Sequence, residues 1–137
     1  MNEAVILVAE DNANDFVLLQ LAFQRSGLSH KIFRARDGEE TLQFLNGQGA
    51  FADRTAYPFP KLLLLDLKMP KVGGFDVLER LREKPMPELS VVVLSSSFLE
   101  EDKQRARELG ASDYLVKAED FDGAINLAKT VHDRWLV

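Results

Sequence analysis

The sequence predicts an α/β fold, a doubly wound parallel sheet of five strands with helices on both faces. Two observations carry this. Five short apolar runs, near Val5–Ala9, Lys31–Ala35, Leu62–Leu65, Ser90–Leu94 and Asp113–Val116, alternate with stretches of helical period. Such β-α alternation produces parallel strands joined by right-handed crossovers. The purest run is four consecutive leucines, Leu62 to Leu65, between Pro60 and Pro70. A run that short with no polar face fits a strand covered on both sides.

The elements follow in order. Val5-Ile6-Leu7-Val8-Ala9 is too short for a helix and ends in Glu10-Asp11. Asn12 to Asn14 offers helix caps, and from Asp15 to Arg25 the residues Phe16, Leu19 and Phe23 share one face. Gly27 stops that helix, and Lys31–Ala35 is the second strand. Asp37 with Glu40 has the spacing of a capping box, opening a helix that carries Leu42, Phe44 and Leu45. Gly47 to Pro60 has no period, and a connection of that length is usually functional or mobile.

After the leucine strand, Gly73-Gly74 breaks the chain, and Phe75, Leu78 and Leu81 mark a third helix stopped by Pro85 and Pro87. Ser90–Leu94 leads into Ser95-Ser96-Ser97. The helix from Glu100 to Leu109 is charged almost all round, so it is expected to be solvated and less firmly packed. Gly110 caps it. The fifth strand ends at Lys117, and the last helix, Phe121 to Trp135, aligns Ala124, Ile125, Ala128 and Val131 on one stripe.

Composition narrows the functions. The 137 residues suit one domain, 1–137, with no linker and no output domain expected. Seventeen basic against 22 acidic residues give a net charge of −5, which argues against nonspecific nucleic-acid binding. The absence of cysteine excludes disulfide, thiolate and zinc–cysteine chemistry. No basic leader and no membrane-length apolar run is present, so a cytoplasmic location is expected, with no membrane partner. His30 and His132 lack ligand spacing and are expected at the surface.

The chemistry collects at the carboxyl ends of the strands, where open α/β sheets bind ligands. Strand one brings Glu10 and Asp11, strand three Asp66, strand four Ser95 and strand five Lys117, whereas strand two brings nothing evident. Each taken alone has a plainer explanation: a helix cap for the acids and the serine, a snorkelling surface residue for the lysine. Together, three carboxylates repel unless a hard cation such as Mg²⁺ compensates them. A lysine and a hydroxyl beside that cation would bind the oxygens of a phosphoryl group, with Asp66 as the nucleophile.

These landmarks resemble the receiver (CheY-like) domains of two-component response regulators, from about Val5 to about Val131. The resemblance implies a flavodoxin-like (βα)5 fold with strand order 2-1-3-4-5. Asp66, followed by Met69-Pro70 and Gly74, stands where the phosphoacceptor does. Glu10, Asp11, Asp66 and the backbone carbonyl of Lys68 stand where the family binds Mg²⁺, which Mn²⁺ or Ca²⁺ can replace. Ser95 and Lys117 match the residues that contact the phosphoryl group, and Ser95 and Tyr114 the switch pair. The implied donor is the phosphohistidine of a sensor histidine kinase. The Leu-Ser-Ser-Ser run, the Glu100-Glu101-Asp102 helix start and the Trp135 ending resemble receivers paired with phytochrome-type kinases.

Family members usually carry proline after the lysine, often with a cis peptide, where this chain has Ala118. A non-proline cis bond costs about 3 kcal/mol, so a trans Lys117–Ala118 bond is expected. The readout is expected to be a contact with a downstream protein or a homodimer, with Trp135-Leu136-Val137 as a candidate patch or a fraying end. Two rivals stand beside this reading. One is a degenerate receiver that binds partners unphosphorylated. The other is a metal-dependent phosphohydrolase with an aspartate nucleophile, which wants a second acid where Lys68 stands.

Overall fold

The structure is a computed structural model that describes residues 4–136. Strands β1 (Val5–Ala9), β2 (Lys31–Ala35), β3 (Leu62–Leu65), β4 (Ser90–Ser95) and β5 (Asp113–Val116) alternate with helices α1 (Ala13–Arg25), α2 (Gly38–Asn46), α3 (Gly74–Glu83), α4 (Glu100–Glu108) and α5 (Phe121–Val131). All strand pairs are parallel and the order is β2-β1-β3-β4-β5, as the resemblance implied.

The unbroken apolar runs have a simple cause. Successive strand residues point to opposite faces, and here both faces are covered. Ile6, Val8, Leu62, Leu64, Val92 and Leu94 face α1 and α5. Leu7, Ala9, Leu63, Leu65, Val91 and Val93 lie in the opposite core with α2, α3 and α4. Each leucine of β3 is essentially inaccessible to solvent, a burial worth about 1.5–3 kcal/mol per side chain.

Local signals explain the helix ends. Asn12 caps α1 by accepting from the Asp15 amide at 3.0 Å, so the helix starts two residues before the stretch read from periodicity. Asp37 caps α2 by accepting from the Glu40 amide at 2.8 Å. The capping box is only half formed, because the Glu40 carboxylate takes the amide and guanidinium of Arg36 instead of the Asp37 amide. Gly47 ends α2 at φ +61°, a left-handed conformation that glycine adopts without strain.

Four expectations need correction. The segment from Gly47 to Pro60 is pinned rather than loose. Arg54 donates to the carbonyls of Leu45 and Tyr57, at 2.8 and 3.0 Å, and Phe51 and Tyr57 stack around Phe44. Secondly, α5 does not run unbroken to Trp135. It ends at Val131 and widens into a π-turn over His132–Leu136. Thirdly, that turn buries Leu136 to 1% exposure and half-buries Trp135, so neither residue offers a fraying end or an open apolar patch. Val137 lies outside the described residues. Fourthly, His30 and His132 are not separate surface residues. Their rings pair at 2.9 Å between Nε2 and Nδ1, joining the start of β2 to the end of α5. Among the described residues no peptide bond is cis, so Lys117–Ala118 is trans as expected. No described helix is long and apolar enough to cross a membrane.

Candidate functional site

The strand order brings the carboxyl ends of β1, β3, β4 and β5 side by side, and the chemistry-bearing residues come with them. Glu10 and Asp11 follow β1 directly. The Glu10 amide donates to the Ala35 carbonyl of β2, and the Asp66 amide to the Ala9 carbonyl of β1, so both acids leave the sheet in fixed register. Glu10 and Asp66 are 4% and 6% exposed, whereas Asp11 is open to solvent. Carboxylate oxygens of Glu10, Asp11 and Asp66 lie within 4.8 Å of one another.

Lys117 closes the cluster. It follows β5, and its backbone amide donates to the Ser95 carbonyl at 2.8 Å, which orients the chain end. Its ammonium lies 2.6 Å from Glu10 Oε1 and 3.2 Å from Asp66 Oδ2. It also reaches Asp15 at 3.4 Å. Buried charges are tolerated only when paired, and burial and pairing pull these titrations in opposite directions. Burial pushes Glu10 up to about 7, despite the opposing pull of the Lys117 ammonium and the Asn12 amide. Burial pulls Lys117 down, but the hydrogen bond to Glu10 and the charges of Asp66 and Glu10 outweigh it and hold the ammonium above its ordinary value. Three acids against one ammonium leave an excess of negative charge in a partly dry hollow. An all-oxygen donor set of this kind suits a hard divalent cation.

Ser95 ends β4 and is 1% exposed; its hydroxyl oxygen accepts the Ser97 amide at 3.1 Å. The Lys68 amide points back to Asp66 Oδ1 at 3.3 Å, turning the loop after β3 around the acid. Gly74 opens α3 against that same loop. A side chain there would begin 2.5 Å from the Asp66 carbonyl, which explains glycine at this position. Tyr114 on β5 is half-buried and donates its hydroxyl to the Ser97 carbonyl at 3.1 Å. A cavity of about 260 Å³ opens beside Asp66 and Lys117 and runs inward past Leu18, Leu64 and Leu94.

Two contributions escaped the sequence. Asp15 joins the lysine because the α1 start folds back over the rim. The signal was its place one turn after Glu10-Asp11, but nothing local says that it faces β5. Arg34 corrects the view that β2 brings nothing. Its guanidinium donates to the carbonyls of Glu10 and Asp11, at 3.0 and 2.9 Å, and so fixes the backbone of the acid pair.

Known proteins resemble this chain in sequence and fold. The sequence model of the response regulator receiver domain matches residues 6–129. Response regulator Rcp1 of Synechocystis sp. is 33% identical over 133 residues, covering 96% of this chain and 88% of that protein. The crystal structure of the phosphorylated cyanobacterial phytochrome response regulator RcpA superposes with a TM-score of 0.87 at 32% identity, covering 98% of this chain and 94% of that one. The crystal structure of the Mn²⁺-bound form of Rcp1 superposes with a TM-score of 0.83 at 33% identity, over 97% of this chain and 94% of that one.

Proposed function

The chain belongs to the response regulator receiver domain family, and from that membership we propose that Asp66 accepts a phosphoryl group from the phosphohistidine of a sensor histidine kinase. The observation that carries this reading is the lysine contact. Lys117 Nζ stands 3.2 Å from Asp66 within a cluster whose three carboxylates lie within 4.8 Å of one another. That is the equipment phosphoryl transfer needs, positioning and charge neutralisation rather than covalent chemistry by further groups.

An Asp66 carboxylate oxygen attacks the phosphorus in line, the phosphorus–nitrogen bond breaks, and the imidazole leaves with the electron pair. The Lys117 ammonium, already beside the nucleophile, moves from Glu10 to a phosphoryl oxygen. The Ser95 hydroxyl donates to another. Glu10, Asp11, Asp66 and the Lys68 backbone carbonyl would hold Mg²⁺, which would neutralise phosphoryl charge when bound; Mn²⁺ and Ca²⁺ would suit the same oxygen donors. The receiver itself provides this machinery, so it promotes its own phosphorylation and its later hydrolysis by water. It turns over no separate substrate.

The likeness to RcpA, a cyanobacterial phytochrome response regulator, extends the proposal to a phytochrome-type kinase as the donor. The signal passes on through protein contact, to a downstream target or a second copy, in the cytoplasm. Incubation with acetyl phosphate and Mg²⁺, followed by intact-mass measurement, tests the central claim. A phosphoryl adduct on the wild type that is absent from Asp66→Asn is the expected result. An unmodified wild type would instead identify a receiver that works unphosphorylated.

A further inference from the structure

The edge strand β2 ends in no acid, yet it holds the turn after β1 by three hydrogen bonds. The Ala35 carbonyl accepts the Glu10 amide at 2.9 Å. The Arg34 guanidinium donates from Nε to the Glu10 carbonyl at 3.0 Å and from a terminal nitrogen to the Asp11 carbonyl at 2.9 Å. Two nitrogens of one rigid plane thus fix two consecutive carbonyls. The fork of arginine allows this geometry, and a lysine ammonium does not reproduce it. The half-buried Phe16 ring of α1 lies against the same guanidinium, 5.8 Å from its Cζ to the ring centroid, and steadies it from the helix side.

The three acids differ in how their own side chains are held. The Glu10 carboxylate takes the Lys117 ammonium at 2.6 Å and the Asn12 amide at 3.1 Å. The Asp66 carboxylate takes Lys117 at 3.2 Å and the Lys68 amide at 3.3 Å. Asp11 is exposed, and among the described residues no donor reaches its carboxylate. Its side chain is placed by its backbone, and Arg34 holds the carbonyl of that backbone. Gathered carboxylates repel one another, so a looser turn would relax by letting Asp11 move out into solvent.

Resting on the phosphoacceptor reading above, we infer that Arg34 is a positioning residue for the divalent cation, pinning the Glu10–Asp11 backbone so that the Asp11 carboxylate stands ready beside Asp66. Groups that hold metal ligands in place change metal affinity by about ten-fold or more, because a site ordered in advance loses less freedom on binding. Charge alone predicts the reverse. A guanidinium beside the site repels a divalent cation, so an arginine acting only through its charge would weaken binding. The two roles differ in sign, which makes them separable.

The test is calorimetric titration of Mg²⁺ into the full chain, as wild type, Arg34→Lys, Arg34→Gln and Phe16→Leu, with thermal melts to confirm that each protein is folded. Arg34→Lys keeps the charge and loses the two-pronged grip, and Arg34→Gln loses both. Each is expected to weaken Mg²⁺ binding about ten-fold. Phe16→Leu keeps the hydrogen bonds, loses the ring and should weaken binding about two-fold; where an Arg34 variant does not fold, it decides alone. Adduct formation from acetyl phosphate, read by intact mass, should need correspondingly more Mg²⁺ in Arg34→Lys and reach the wild-type rate at saturation. Wild-type affinity in the Arg34 variants, tighter binding by Arg34→Gln, or a slower saturated rate with unchanged Mg²⁺ dependence overturns the inference and leaves the phosphoacceptor reading intact. A wild type that binds no Mg²⁺ also overturns it. A wild type that binds Mg²⁺ but forms no adduct overturns the phosphoacceptor reading, and the calorimetry still decides the role of Arg34.

Discussion

On one face of the sheet, α1 and α5 bury Leu19, Ala22, Phe23, Ala124, Ala128 and Val131, and the π-turn after α5 adds Leu136. On the other face, α4 buries Ala106 alone. All three helices start from loops at the same rim, yet only α1 and α5 are committed to the core. A helix held by a continuous apolar stripe cannot shift without opening cavities. A helix held by one buried alanine, the Arg105 guanidinium over the Phe75 ring and surface ion pairs such as Arg105–Glu79 meets less resistance. The difference is one of anchoring: α1 and α5 hold the strands that carry the acids, and α4 adds little to that hold.

Substitutions can break that contrast or sharpen it. The largest effect is expected from Phe23→Ala, which removes a fully buried ring from the α1–α5 side and should cost about 3–5 kcal/mol in urea unfolding. A loss below about 1 kcal/mol would mean that this face is not the rigid one.

At the rim where the two faces meet, Glu10 should make stability depend on pH. Its carboxyl titrates near 7 when folded, against 4.5 ordinarily, because it is buried. Between those values the folded state holds a proton that the unfolded state has lost. Without divalent cation, stability therefore falls as pH rises from 4.5 to about 7, by up to about 3 kcal/mol. Thermal melts of Glu10→Gln should lack this fall, and added Mg²⁺ should flatten it in the wild type. Equal slopes for the two proteins would show that Glu10 is not under strain.

Tyr114→Phe removes one hydroxyl that bonds the Ser97 carbonyl and should cost about 1 kcal/mol. Its exchange effect should be confined to the loop and α4, and faster exchange in α5 would blur the contrast. Arg107→Ala, on the exposed side of α4, should change stability by less than about 0.5 kcal/mol. A larger loss would show that α4 is held by more than its buried alanine.

Much of this was legible beforehand, for reasons that differ by residue. The strands announced themselves because both faces are covered and every position had to be apolar. Glu10, Asp11, Asp66, Ser95 and Lys117 could be gathered because each ends a strand, and strand ends in a parallel sheet share one edge. The residues missed or misjudged depend on contacts far apart in the chain. Arg34 reaches the Glu10–Asp11 backbone from an adjacent strand, and Asp15 meets Lys117 across 102 positions. His30 and His132, also 102 apart, find each other only when β2 and α5 meet. The Gly47–Pro60 segment looked unstructured because its order comes from Arg54 and aromatic packing, which has no period.

Apolar periodicity and strand termini are local properties of a chain, so the sheet, its double cover and the groups at its carboxyl edge could be read from the residues alone. Tertiary structure alone decided which charge answers which. The ion pair of Lys117 with Glu10, the clamp from Arg34 and the pairing of His30 with His132 all depend on distances between distant segments. Only the closed fold sets those distances.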